Sequence, residues 1–157
     1  MIACKISKAQ ESDMMDVFNL ANDPVVRSNS FNQNKIELLD HQRWFRGMLQ
    51  NQRCYFYIIR SESDFVGSMR FDHYQENRFI ANIQISEKFR GKGLAAKIIQ
   101  DATLRFLQEE KSAKIIANIK VDNLGSLKSF QNSGYRIIDK AEKNNSEFYI
   151  LEYDISG

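Results

Sequence analysis

The stretch from Phe79 to Glu110 constrains the fold more than any other. Phe79-Ile80-Ala81-Asn82-Ile83-Gln84-Ile85-Ser86 carries the alternation of a strand. The basic, glycine-rich turn Arg90-Gly91-Lys92-Gly93-Leu94-Ala95 follows it. A helical stripe then runs through Leu94, Ile98, Ala102 and Phe106, flanked by Ala95, Ile99 and Leu107. Strand, glycine turn and helix together make a cradle for an anion. Glycine lets the backbone approach closely, and the unpaired N–H groups of a helix start point at the bound charge. Arg90 and Lys92 add positive charge at the same place. A phosphorylated cofactor is therefore expected there.

The type of cradle follows from the spacing. A P-loop needs Gly, four residues, then Gly-Lys-Ser/Thr, and that string is absent. A dinucleotide fingerprint G-x-G-x-x-G/A is met formally by Gly91, Gly93 and Ala96. It also needs an acid at the end of a following strand, about 20 residues on, to hold a ribose. Asp101, Glu109 and Glu110 fall within the helix or at its end, so they are misplaced for that role. An ordinary helix start after a strand is the bland alternative.

Composition sets the outer bounds. The chain of 157 residues is 43% hydrophobic and 27% charged, with a formal net charge of +2. One domain spanning 1–157 with one packed core is expected. The basic residues are dispersed and balanced by acids, which disfavours nucleic-acid binding. No run approaches the roughly 20 apolar residues of a membrane helix. Met1-Ile2-Ala3-Cys4-Lys5 lacks the pattern of a signal peptide. Cys4 and Cys54 form neither a metal spacing nor a disulfide framework. A cytoplasmic protein without a metal is the expectation.

Along the chain, Ile2 to Ser7 is expected as a strand. Ser12 is expected to cap a helix with Met14, Val17, Phe18 and Ala21 on its apolar face, stopped at Asn22-Asp23-Pro24. Residues 26–32 then form a polar loop. A second helix covers Leu38 to Gln50, with His41, Trp44, Phe45, Met48 and Leu49 on one face. The period changes at Cys54. Strands over 54–59, 65–71 and 79–86 make an antiparallel meander with turns at 61–64 and 74–77. After the cradle helix come a strand at Ala113 to Val121, a short helix from Asn123, and strands at Tyr135–Lys140 and Phe148–Asp154. Asn144-Asn145 marks the last hairpin.

A second motif gives the cradle a family. Arg90, Gly93 and Ala95 satisfy the pattern Gln/Arg-x-x-Gly-x-Gly/Ala, and Asn123-Leu-Gly-Ser126-Leu-Lys-Ser-Phe130-Gln-Asn-Ser-Gly134-Tyr135 follows the next strand. In order and spacing this pair resembles the GCN5-related N-acetyltransferases (GNAT). The resemblance implies an α+β, three-layer fold: a mixed, mostly antiparallel sheet with helices on both faces, in the order βααβββαβαββ. The segment pattern agrees with that order over nearly the whole length. The resemblance also implies acetyl-CoA as cofactor. Its pyrophosphate would meet Arg90, Gly91, Lys92, Gly93, Leu94 and Ala95. Its pantetheine arm would lie along the backbone of Ile83, Gln84 and Ile85, with the Ile85 N–H as oxyanion donor. Asn123, Ser126 and Phe130 would complete the cofactor contacts. The family often has Tyr at the position of Phe130, placed to protonate the leaving thiolate. Phe has no proton to give, so Ser126, water or unassisted departure would serve.

The resemblance implies a primary amine as acceptor, mostly protonated near pH 7, which would need a base or a desolvating pocket. His41, Asp72, His73 and Glu87 are the candidate bases. The string Asn22-Asp23-Pro24-x-Val26-Arg27-x-Asn29-Ser30-Phe31, then His41-x-x-Trp44-Phe45, is similar to bacterial enzymes that acetylate nucleotide-linked amino sugars in pseudaminic acid biosynthesis. So is Gly67-Ser-Met-Arg70-Phe71-Asp72. That resemblance implies the 4-amino group of a UDP-linked amino-dideoxy sugar as acceptor. Arg27 and Arg70 could meet the diphosphate, and Phe31, Trp44 or Phe45 could stack on uracil or an apolar sugar face; the bland alternative for Trp44 and Phe45 is a place in the core on a buried helix face. Asn29 and His41 complete the expected acceptor contacts. The rivals are a protein N-terminus, an amino acid or a polyamine as acceptor, and a non-catalytic acyl-CoA sensor. A monomer or homodimer is expected.

Overall fold

The computed structural model describes residues 2–155. Strand β1 (Lys5–Lys8) is shorter than expected and starts later. A 3-10 turn at Glu11–Asp13 leads into helix α1 (Met14–Ala21). The turn is closed by Asp13 Oδ2 accepting from Gln10 N at 2.8 Å, so Asp13 and Gln10 do the capping expected of Ser12. The expected polar loop at 26–32 begins instead as a short helix α2 (Pro24–Ser28). Pro24 tolerates the first helical turn because it has no N–H to leave unpaired. Asp23 Oδ1 accepts from Val25 N at 2.9 Å and Val26 N at 3.3 Å, a side-chain N-cap. The Asn-Asp-Pro string thus ends one helix and starts another.

Helix α3 (Leu38–Gln50) matches its expected bounds. The meander is β2 (Cys54–Ser61), β3 (Asp64–Gln75) and β4 (Arg78–Ile85), with β3 four residues longer at its end than expected. Helix α4 (Leu94–Glu109), β5 (Lys114–Lys120), α5 (Leu124–Asn132), β6 (Tyr135–Lys143) and β7 (Ser146–Tyr153) follow. Asn144 and Asn145 both take positive φ, 51° and 63°, as a tight two-residue hairpin requires.

The strands form one seven-stranded sheet, ordered β1-β2-β3-β4-β5-β7-β6. Every neighbouring pair is antiparallel except β4–β5. Helices α4 and α5 cover one face. There Tyr57, Phe71, Phe79, Ile98, Phe106, Ile115, Phe130 and Leu151 build the main core, and the Phe71 and Phe106 rings stack at 4.4 Å. Helices α1 and α3 cover the other face through Val17, Phe45, Phe56 and Ile58. This is the expected three-layer α+β arrangement. Among the described residues, no helix is long and apolar enough to cross a membrane.

One defect in the sheet positions the site. Strands β4 and β5 pair only at Arg78↔Lys114, Phe79↔Ile115 and Ile80↔Ile116. Beyond Ile80, β4 stays with β3 as far as Gly67↔Ile85, and β5 stays with β7 as far as Lys120↔Phe148. The sheet therefore opens into a wedge, with residues 81–85 on one lip and 117–120 on the other.

Candidate active site

The wedge opens toward the glycine turn. Gly91 and Gly93 have φ of +70° and +73°, a left-handed backbone that L side chains rarely adopt. A Cβ at either would meet nothing within 4 Å, so the space in front of the turn is clear. Gly93 is the N-cap of the 16-residue α4 and offers no side chain to cap it. The first-turn amides of α4 therefore stay available to an outside acceptor, with the helix dipole behind them. Lys92 is exposed beside them. These features fit a pyrophosphate.

Arg90 is placed differently from the expectation. Its Nε donates to Ile85 O at 2.9 Å, and an Nη donates to Asp23 Oδ1 at 2.9 Å. The guanidinium ties the end of β4 to the start of α2 and is not extended toward the turn. Burial pushes the Asp23 carboxyl up, but Arg90 and the Val25 and Val26 amides outweigh it and hold the carboxyl below its usual range.

The lips carry unpaired main chain of a defined direction. Ser86 N donates to Val66 O at 2.8 Å, on the β3 side. Alternation along the strand then turns the N–H groups of Ile83 and Ile85 the other way, into the wedge. Gln84 instead turns its carbonyl to β3, where a Cβ on Gly67 would lie 2.1 Å from Gln84 O. Of the three residues expected to line the pantetheine arm, Ile83 and Ile85 offer backbone groups to the wedge and Gln84 does not.

On α5, Asn123 Oδ1 caps the helix by accepting from Ser126 N at 3.3 Å. Phe130 lies in the main core at 2% exposure, edge-on to Tyr135 at 4.9 Å. It packs α5 into the same core that Ala81, Ile83 and Ile85 of one lip and Ile119 of the other join.

Several candidate acceptor residues are held by the fold. Arg27 donates to Ala21 O at 2.7 Å, Asn32 O at 2.9 Å, Asn34 O at 3.2 Å and Ser30 Oγ at 3.2 Å. It organises its own loop, so its guanidinium is not the free diphosphate contact expected. His41 is 2% exposed, with Nε2 donating to Met14 O at 3.2 Å and its ring among Phe18, Trp44 and Phe45. Burial lowers its pKa, against the Met14 hydrogen bond. It joins α1 to α3 and is closed to any ligand, which corrects its expected role as base or acceptor contact. Arg70 grips Asp72 at 3.0–3.3 Å and lies 5.0 Å over the Trp44 ring. Asp72 also accepts from Cys54 Sγ at 3.2 Å. Burial first, then Asp72, push the Cys54 thiol up to about 12. Cys54, Asp72, Arg70 and Trp44 thus form one chain that packs α3 on the sheet, in place of a diphosphate and base set. His73 bonds Glu76 O at 2.6 Å, away from the wedge mouth. Asn29 ends α2. Glu87, just after β4, is exposed.

The acceptor side holds three residues that the sequence reading missed. Lys120 is 6% exposed, donates to Ser28 O at 3.3 Å, and sits 5.9 Å from the Phe31 ring. Lys143 Nζ lies 5.6 Å from the same ring. Phe31 packs edge-on against Phe148 of β7 at 5.0 Å. A hollow of about 510 Å³ opens beside it, lined by Phe31, Asn32, Gln33, Asn34, Asn144 and Ser146. Asn144 and Ser146 place it at the β6–β7 hairpin, one strand beyond the β5 lip of the wedge. Asn118 is the third missed residue, and its Oδ1 is buried without a partner among the described residues. The signal was present: Asn118 and Lys120 alternate with buried Ile115, Ala117 and Ile119, so they share the face away from the main core.

Comparison with known proteins bears directly on this geometry. No curated protein sequence matches the chain. In structure it is similar to spermidine N-acetyltransferase from Vibrio cholerae, solved with CoA and spermine. The TM-score is 0.84 at 13% identity, over 95% of this chain and 94% of that one. It is similar to aminoglycoside acetyltransferase AAC(6')-Ib, solved with coenzyme A, with a TM-score of 0.80 at 13% identity, over 98% and 95% of the chains. It is also similar to YncA from Salmonella typhimurium, solved with acetyl-CoA, with a TM-score of 0.82 at 13% identity, over 98% and 95%. The sequence pattern of the acetyltransferase (GNAT) domain matches residues 5–136. The wedge, the glycine turn and that match lead to one conclusion: the chain belongs to the GNAT acetyltransferase family and is an acetyl-CoA-dependent N-acetyltransferase.

Proposed function

We propose that the protein transfers acetyl from acetyl-CoA to the 4-amino group of a UDP-linked amino-dideoxy sugar. The hollow beside the wedge carries this reading. Its lining is rich in side-chain amides, which suit hydroxyls and a pyrimidine edge, and Phe31 offers an apolar face for a ring. Lys120 and Lys143, both near Phe31, supply positive charge for a diphosphate in place of Arg27 and Arg70. Such a hollow opposes a polycation. Spermine is bound by one structural relative, but here two lysines flank the ring and no acid is among the lining residues.

Within this reading, the first-turn amides of α4 and Lys92 hold the pyrophosphate of acetyl-CoA, and Asn123 steadies its arm. The N–H groups of Ile83 and Ile85 lie about 7 Å apart along the strand, so only one can meet the thioester oxygen. With the pyrophosphate at the mouth of the wedge, the deeper Ile83 N–H takes that oxygen and stabilises the negative charge that develops on it, while Ile85, expected in that role, pairs with the pantetheine arm. Glu87, exposed at the end of β4, takes the amine proton directly or through water. No residue at position 130 protonates the thiolate, so it leaves with a proton from water. The protein works in the cytoplasm, as a monomer or homodimer.

The test is CoA release from acetyl-CoA with a UDP-linked 4-amino-4,6-dideoxy sugar, spermidine, kanamycin, amino acids and a short peptide. Turnover with the nucleotide sugar, lost by at least ten-fold in Lys120→Met and Lys143→Met, is the expected result. Preference for spermidine or kanamycin would overturn the acceptor assignment and leave the acetyl transfer standing.

A further inference from the structure

Strand β5 presents a buried polar atom to the wedge. Asn118 Oδ1 accepts no hydrogen bond among the described residues. Native folds rarely leave a buried acceptor unmet, and one that persists points to a partner from outside the chain. Its location defines that partner. Ile115, Ala117 and Ile119 are buried in the core shared with α4 and α5, so Asn118 faces the opposite side, the face from which Lys120 meets Phe31 of the hollow. Ile116 is the last β5 residue paired with β4, opposite Ile80. Two residues on, Asn118 stands on the β5 lip of the wedge, level with Asn82 and one residue from Ile83. The Ile83 N–H points into the same gap. A thioester carbonyl held by that N–H would present its carbon between the lips, and the Asn118 side chain leaves the facing lip at that level.

We propose that Asn118 is a catalytic residue of the acetyl transfer. Its Oδ1 accepts an N–H hydrogen bond from the acceptor amine and turns the nitrogen lone pair toward the thioester carbon. The proposal rests on the reading of the wedge as the acetyl-CoA site, and not on which amine fills the hollow. Atoms balance without further reagents. The neutral nitrogen forms the N–C bond while the C–S bond breaks with its electron pair on sulfur. The nitrogen releases one proton to Glu87 or water, and the thiolate takes up one, giving the N-acetyl amine and the CoA thiol. Asn118 keeps its own protons throughout and contributes orientation.

Hydroxylamine tests this without the true acceptor, because it is small and neutral near pH 7. Acetohydroxamate formation at saturating acetyl-CoA is measured above the uncatalysed rate, alongside acetyl-CoA affinity and the thermal midpoint. Asn118→Leu is expected to lower the rate at least ten-fold, keep acetyl-CoA affinity within two-fold, and leave the midpoint unchanged or raised, since an unmet buried oxygen is removed. Asn118→Asp keeps an acceptor and is expected to recover most of the rate. An unchanged rate in Asn118→Leu would overturn the proposal. So would equal rates in the two variants, a parallel loss of acetyl-CoA affinity, or no enzymatic acetohydroxamate from the wild-type protein. Failure of the nucleotide-sugar reading shows separately, as acetylation of hydroxylamine without turnover of the sugar.

Discussion

At the scale of single residues, Asp23 does two jobs with one carboxylate. It caps α2 through Val25 and Val26, and it pairs with Arg90, whose other arm holds Ile85 O. The acceptor-side helix is thereby fastened to the lip that carries the oxyanion donor. Asn caps a helix about as well as Asp, so Asp23→Asn removes the charge and keeps the cap. It should cost about 1.5 kcal/mol in urea unfolding at pH 7, the scale of a hydrogen bond to a charged group. Asp23→Ala should lose about 1 kcal/mol more, for the cap. The Asp23 pKa is lowered on folding, so its contribution is present above the unfolded value near 4 and is lost as pH falls through the folded one. An Asn variant as stable as wild type at pH 7 would remove the pair from the argument.

At the scale of elements, the shape of the wedge depends on how closely β3 and β4 approach. Gly67 sits opposite Ile85, and its missing Cβ is what lets Gln84 O come in. Backbone occupies the place where an alanine methyl would go, 2.1 Å from that oxygen, so β4 would have to shift. Gly67→Ala is expected to cost at least about 1–3 kcal/mol, as overpacking does. Because the shifted segment carries the Ile83 and Ile85 N–H groups, kcat should fall by ~100-fold, the effect of a displacement of about 1 Å at reacting groups. Thermal melting and steady-state kinetics on the same variant check both. A loss of stability with normal kcat would show that the 83–85 backbone takes no part in the chemistry.

At the scale of the whole molecule, two cores of unequal size share one sheet, and the smaller carries an ionisable group. His41 is buried between α1 and α3 with a lowered pKa. The unfolded chain binds its proton more readily than the folded one. Stability is therefore complete above the unfolded value, about 6.5, and falls as pH drops through it toward the folded value. The slope can reach about 1.4 kcal/mol per pH unit for one proton. His41→Gln, which keeps a donor for Met14 O, should flatten unfolding free energy between pH 7 and pH 5. An unchanged slope would place the acid sensitivity elsewhere.

Local pattern was enough for the elements and for the cradle. Periodicity marked α3, α4 and the meander, because a buried stripe or face must repeat at the period of its own backbone. The glycines at 91 and 93 were legible because no other residue takes that backbone without strain. Pro24 misled, since the same residue that ends one helix is welcome at the start of the next. The acceptor side was far less legible. Arg27, His41, Arg70 and Phe130 have the chemistry of a site, and the fold engages each of them in holding its own parts together. Lys120 and Asn118 lay unremarked in an apolar strand, although their spacing already put them on one face. What the sequence by itself determined was which segments are strands or helices and where an anion can sit, for these follow from neighbours along the chain. Which polar groups remain free for a ligand was decided only by the tertiary structure. A side chain's hydrogen-bonding capacity is taken up by partners far away in sequence, as Arg90 is by Asp23, and Asn118 Oδ1 is distinguished by having none among the described residues.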